Sequence, residues 1–212
     1  MTGIDELFTA ITAGDAVAVE RLIDDDPSLA TSRRDGVSAL RLAAYVGHPE
    51  LAKPLEARGA TPDAFDAAAL GELDTIRDLL DEEPELTSAF SDDGFTALHL
   101  AAWFGHTKIA EILLARGADP RVVAANSTAL EPLNSAAAAG NPVIAHLLLD
   151  RGAEVDAVQQ GGITPLHSAA AHNDAEMVSL LLGRGADPSQ TTDAGQSAAD
   201  LATETSVLAL LP

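Results

Sequence analysis

A glycine that keeps returning constrains this chain more than any other feature. Gly14, Gly47, Gly71, Gly105 and Gly140, and then Asn173, each follow a short Ala-rich apolar segment, at intervals of 33, 24, 34, 35 and 33 residues. After four of them a second apolar stretch ends in the same tripeptide: Arg58-Gly59-Ala60, Arg116-Gly117-Ala118, Arg151-Gly152-Ala153 and Arg184-Gly185-Ala186. A period of that length means one helix-turn-helix unit used repeatedly, no copy of which buries its apolar face without its neighbours. The expected product is a one-dimensional stack, in which each unit contacts only the next.

The stretch from Asp93 to His106, Asp-Gly-Phe-Thr-Ala-Leu-His-Leu-Ala-Ala-Trp-Phe-Gly-His, shows how one unit works. Thr96 is placed to cap a helix, its hydroxyl accepting an orphan amide of the first turn. In the copy at Thr164-Pro165-Leu166-His167, Pro165 takes the first helical position, where a missing N–H costs nothing. Small Ala101 and Ala102 let neighbouring helices approach closely. Ile109, Ile112, Leu113 and Leu114 give a second helix its apolar face, and Gly117 can adopt the left-handed conformation that ends it. Arg116 lies at the negative end of that helix, where a cation is favoured, as do Arg58, Arg151 and Arg184. These four arginines read as structural.

Thr-Ala-Leu-His-Leu-Ala-Ala with Gly-His and Arg-Gly-Ala-Asp, and again Thr-Pro-Leu-His with Arg-Gly-Ala-Asp, resemble the ankyrin repeat. The resemblance covers nearly the whole chain, with units at 4–34, 35–60, 61–91, 92–125, 126–158 and 159–191 and a truncated cap from Thr192. It implies an all-α solenoid of stacked helix pairs with short β-hairpin tips, a single domain over 1–212. It also implies a recognition surface on the tips and on the exposed residues just before each helix-helix turn.

A second period explains the short interval of 24. Phe8, Gly14 and Pro27 return 57 residues later as Phe65, Gly71 and Pro84, while Gly36, Leu40, Tyr45 and Gly47 return at 58 as Gly94, Leu98, Trp103 and Gly105. The first two units were copied as a pair, so the third descends from an N-terminal cap and lacks the Asp-Gly hairpin before Phe65. Pro54 falls inside the second helix of unit two, removing a hydrogen bond, and Glu56 stands where a leucine is expected. Residues 53–66 are therefore the expected irregular point of the stack.

The composition excludes several classes of function. There is no cysteine, so disulfides, thiolate metal sites and cysteine nucleophiles are absent, and a reducing cytoplasm is the expected location. Met1 to Ala13 lacks a basic segment followed by a continuous apolar one and does not read as a signal peptide. No apolar run is long enough to span a membrane. A formal charge of −21 repels phosphate backbones and anionic lipid, so nucleic-acid and membrane binding are not expected.

Four of the six histidines, His48, His99, His106 and His167, occupy repeat positions that tie turns and adjacent units together. None shows ligand spacing, and no metal or other cofactor is expected. The runs Asp24-Asp25-Asp26-Pro27 and Asp81-Glu82-Glu83-Pro84 are the same place in two copies, a solvated helix end without the ligand pattern of a calcium loop. No nucleophile elbow, phosphate-cradling loop or zinc-protease motif occurs, so no catalytic residue is assigned.

The two residues before each turn are Thr12-Ala13, Tyr45-Val46, Ala69-Leu70, Trp103-Phe104, Ala138-Ala139 and Ala171-His172. The only Trp and the only Tyr of a chain that is 3% aromatic both fall in this column. Such residues dominate binding hot spots and lower solubility unless something covers them. The expected binding surface is Val37, Tyr45, Val46, Leu70, Phe95, Trp103 and Phe104, with Arg34, Asp92 and Asp93 at adjacent tips giving selectivity. An apolar groove with an acidic rim suits a protein or peptide partner with an apolar anchor and basic flanks. The competing expectation is an enzyme or small-ligand binder with a pocket near residues 53–70.

Overall fold

A computed structural model describes residues 3–211; Met1, Thr2 and Pro212, at the ends of the expected domain, lie outside the described residues. Its helices follow one another in pairs: α1 (Gly3–Thr12) and α2 (Ala16–Asp25), α3 (Ala39–Tyr45) and α4 (Ala52–Glu56), α5 (Ala64–Leu70) and α6 (Leu73–Glu82). Next come α7 (Ala97–Phe104) and α8 (Thr107–Ala115), α9 (Pro132–Ala138) and α10 (Pro142–Asp150), α11 (Pro165–Ala171) and α12 (Ala175–Gly183). A short pair, α13 (Ala198–Leu201) and α14 (Thr205–Leu208), ends the stack. Two-residue strands β1 (Arg33–Arg34) and β2 (Val37–Ser38) form a hairpin, its turn made by Asp35 and Gly36 with φ of 52° and 80°.

Caps and stops fall where the chemistry of the unit places them. Thr96 precedes α7 and Thr164 precedes α11, each in a reciprocal cap with the His three residues on. α7 ends on Gly105, which is left-handed at φ 78°. The first helices α1, α3, α5, α7, α9, α11 and α13 contact their neighbours far more extensively than the second helices do. That layer is therefore the closely spaced one.

The regular part is held by three ladders, each using one position per unit. Past two of the turns a polar side chain reaches the preceding unit: His106 Nε2 donates to Ala69 O at 3.1 Å and Asn141 Nδ2 to Ala102 O at 2.8 Å. The tips join through backbone bonds, Ala125 N to Gly94 O, Gln160 N to Thr128 O and Asp193 N to Gly161 O, at 2.8 to 2.9 Å. On the second helices three of the four Arg-Gly-Ala arginines reach back one unit, Arg58 to Asp24, Arg116 to Asp81 and Arg184 to Asp150. The two acidic runs thus supply one clamp residue each, Asp24 and Asp81.

Between units two and three the pattern breaks. Buried apolar side chains form two clusters, one from Leu7 to Ala60 and one running from Ala44 and Phe65 to Leu211, with Leu70 against both. Pro54 acts differently from a mid-helix kink. It is the third residue of a helix of only five, preceded by the 3-10 turn Pro49–Leu51, so the second helix is fragmented at its start. Glu56 on α4 faces Glu72, and burial together with that carboxylate raises its pKa.

Candidate partner-binding site

The first-helix layer carries an apolar pocket of about 330 Å³. Tyr45 of α3 walls one side; Phe95, Leu100 and Trp103 come from unit four, and Thr128, Leu130 and Ser135 from unit five. Trp103, on the last turn of α7, is 46% exposed. Leu130 is drawn in because His99 Nε2 donates to its carbonyl at 3.0 Å. Between Thr128 and Leu130, Ala129 sits at φ 51°, a left-handed backbone that costs a non-glycine roughly 1–2 kcal/mol.

Local electrostatics fix the protonation of the walls. Burial lowers the His99 pKa to about 4, so its ring is neutral and accepts at Nδ1 from Thr96 N–H. Tyr45 Oη donates to Asp93 Oδ2 at 2.6 Å; burial and that bond hold its phenol far above the ordinary range. Beside Leu130, Glu131 is pushed up to about 7 by burial and then by Glu154 and Asp119.

The residues expected from the sequence divide into several groups. Tyr45, Phe95 and Trp103 come together in the pocket. Phe104 is half-buried in a stack between Tyr45 at 6.0 Å and His106 at 6.4 Å, which makes it support for the wall. Val46 packs on the N-terminal core cluster and Leu70 on both clusters, while Val37 is half-buried on β2. Arg34 turns to unit one, its guanidinium 4.7 Å from the Phe8 ring centroid. Asp92 is exposed, beside Gly36 of the neighbouring tip. Asp93 looks inward, engaged by Tyr45, by Ser91 Oγ at 2.5 Å and by Arg41 at 3.3 Å.

Arg41 was not singled out by sequence reasoning, yet its side chain is fully buried at the joint. It donates from Nη2 to Gly36 O at 2.8 Å and lies 3.7 Å from Asp66, which accepts from Ser38 Oγ at 2.7 Å. Burial and then Asp63 raise the Asp66 pKa to about 6, against the pull of Ser38 and Arg41. The signal was present: Ser-Ala-Leu-Arg at 38–41 puts Arg where Thr-Ala-Leu-His puts His99. Near the junction there is a cavity of about 240 Å³, polar and lined by Arg33, Arg41, Asp63 and Asp92 among others. Its arginines already face aspartates of the same chain.

Among the described residues no group of three or more His, Asp or Glu is placed to hold a metal, and no helix is long and apolar enough to cross a membrane. His99, His106 and His167 all bond to backbone carbonyls.

The ankyrin-repeat family description matches residues 93–125 as a single repeat and 121–192 as a run of them. An ankyrin repeat protein of fowlpox virus is 30% identical over 170 residues, covering 74% of this chain and 38% of its own length. An ankyrin repeat, SAM and basic leucine zipper domain-containing protein of Dasypus novemcinctus is 34% identical over 145 residues, 68% of this chain and 26% of its length. A transient receptor potential cation channel subfamily A member 1 homolog of Caenorhabditis elegans is 30% identical over 133 residues, 58% and 11%. The chain belongs to the ankyrin-repeat family, whose stacks generally serve as protein-interaction modules and are generally non-catalytic. It spans well under half the length of these relatives.

Proposed function

We propose that this chain is a non-catalytic, cytoplasmic binding module: one stack over 1–212, six units and a cap with an irregular joint at 53–66. It holds a protein or peptide partner on the first-helix face. The observation that carries the reading is the apolar pocket, into which the only Tyr and the only Trp of the chain both fall. Deep burial of a compact anchor with hot-spot residues around it is how small contact areas gain affinity. Asp92 at the rim and a charge of −21 favour basic residues beside that anchor. Arg34, Val37, Val46, Leu70 and Phe104 shape and support this face.

The test starts by capturing partners from native extract with wild-type protein and with Trp103→Ala, then measures the affinity of the purified partner for each. Because Trp103 is half exposed, the substitution should change stability by no more than about 1 kcal/mol. Affinity should fall by about 2 kcal/mol or more, roughly thirtyfold. A folded variant that binds the partner as wild type does would remove the pocket from the binding surface.

A further inference from the structure

We propose that the pocket is an aromatic cage for a methylated ammonium group, the trimethylated lysine side chain of a partner protein. The inference rests on the binding reading above and names the chemistry of its anchor. The chain has one Trp, one Tyr and five Phe, yet Tyr45, Phe95 and Trp103 line this single pocket, joined by the neutral ring of His99. A pocket for an aliphatic anchor can be lined by Leu, Ile, Val and Ala, which make up most of the buried core. Aromatic faces attract cations, and most strongly those whose charge is spread over weakly hydrated methyl groups.

Phe104 stacks on one face of Tyr45, and no cation-π pair among the described residues uses the rings of Tyr45, Phe95 or Trp103. Arg34 lies over Phe8 at 4.7 Å and Arg41 over Phe65 at 5.8 Å, while no Lys or Arg lines the pocket among the described residues. Tyr45 donates its hydroxyl proton to the Asp93 carboxylate at 2.6 Å, which enriches its ring in electrons and strengthens the face it offers. Beside Leu130, Glu131, Glu154 and Asp119 outnumber Arg121, so the net charge at that edge is negative and favours a cation. A volume of about 330 Å³ is at the small end for ligand cavities and is large enough to admit the end of one side chain. A lipid choline headgroup has the same cation but carries a phosphate, which a chain of charge −21 repels. A protein side chain brings no such penalty.

Trp103 is the only Trp, so its emission reports the pocket directly. Wild-type protein is titrated with four probes: N-acetyl-trimethyllysine methylamide, the unmodified lysine amide, a neutral analogue with tert-butyl in place of trimethylammonium, and phosphocholine. The expected result is a saturable change with the trimethyllysine probe, at least about tenfold tighter than with any of the others. Phe95→Leu, with the fold checked by circular dichroism, should lose that preference while keeping the reporter. Equal binding of the tert-butyl analogue would overturn the cage and leave the apolar-anchor reading standing. Tighter binding of phosphocholine would overturn the assignment to a protein side chain. If no probe binds while Trp103→Ala still loses its partner, the cage fails and the binding module survives; if neither responds, both fail.

Discussion

Between units four and five, His99 reaches Leu130 O, and in unit six His167 reaches Gln190 O, just before the cap, at 3.1 Å. Asn134 does the same in unit five, to Ala157 O at 2.9 Å. In unit two that place holds Arg41, and the unit after it has no hairpin carbonyl to receive a short side chain. Arg41 extends past the gap to Asp66 of unit three and Asp93 of unit four, and caps its own tip carbonyl at Gly36. The tips of units two and four then close over unit three, near enough that a Cβ on Gly36 would lie 2.4 Å from Asp92 Cβ. At this position the regular joints use neutral hydrogen bonds, and the irregular joint uses a buried charge network. It also sets the pocket wall, since Asp93 holds Tyr45.

The sharpest way to break that comparison is to remove one side chain from each kind of joint. Arg41→Met leaves Asp66 and Asp93 without their cation, and breaking a buried ion pair from one side costs about 3–5 kcal/mol. His99→Ala leaves a neutral carbonyl unsatisfied, at about 1–3 kcal/mol. Denaturant melts of the two variants should therefore differ by about 2 kcal/mol. Equal losses would mean that the network at the joint contributes no more than an ordinary repeat bond.

The two joints should also respond to acid in opposite directions. Asp66 titrates near 6 in the folded chain, above its ordinary value of 3.8, so the folded state keeps a proton that the unfolded chain has lost. Its contribution is present below about 4 and is lost as pH rises through 6. His99 is lowered from 6.5 to about 4, so the unfolded chain binds the proton first, and its contribution is lost as pH falls from about 6.5 to 4. Stability of wild type relative to Asp66→Asn should fall by on the order of 2 kcal/mol from pH 4 to pH 7. Relative to His99→Asn it should rise by a similar amount. Slopes of the same sign would show that the two positions are not electrostatically distinct.

The repeat made much of this legible in advance. Glycine spacing, Thr96 and Thr164 as caps and Arg-Gly-Ala as a stop are local chemistry, and they place the helices without knowledge of the neighbours. Tyr45, Phe95 and Trp103 could be gathered because two positions of the unit, the one after the hairpin glycine and the one before the turn, fall on one face. Arg41 was missed because its role depends on what unit three lacks, two units of reach that no local rule encodes. Phe104 was expected in the groove and Asp93 at an adjacent tip because adjacency in sequence fixes a face but leaves open whether a neighbouring unit already occupies it.

The smallest effect separates two causes of the irregular joint, the proline and the missing hairpin. Inside a helix a proline costs about 3 kcal/mol, but Pro54 stands in the first turn of α4, where few amides have partners to lose. Pro54→Ala should therefore gain no more than about 1 kcal/mol, chiefly by letting the 3-10 turn at Pro49–Leu51 continue as α-helix. Amide hydrogen exchange reads the result locally. In wild type, residues 53–66 should exchange faster than α7 to α12, because stability in a stack is close to a sum of unit and neighbour terms and this joint has the weakest. In Pro54→Ala the amides of 52–56 should slow, while those of Ala60 to Asp63, where the hairpin is missing, should stay fast. If the whole of 53–66 becomes as protected as α7 to α12, the proline alone made the joint irregular. Uniform protection in the wild type would show that Arg41 and its aspartates already make this joint as firm as the hydrogen-bonded ones.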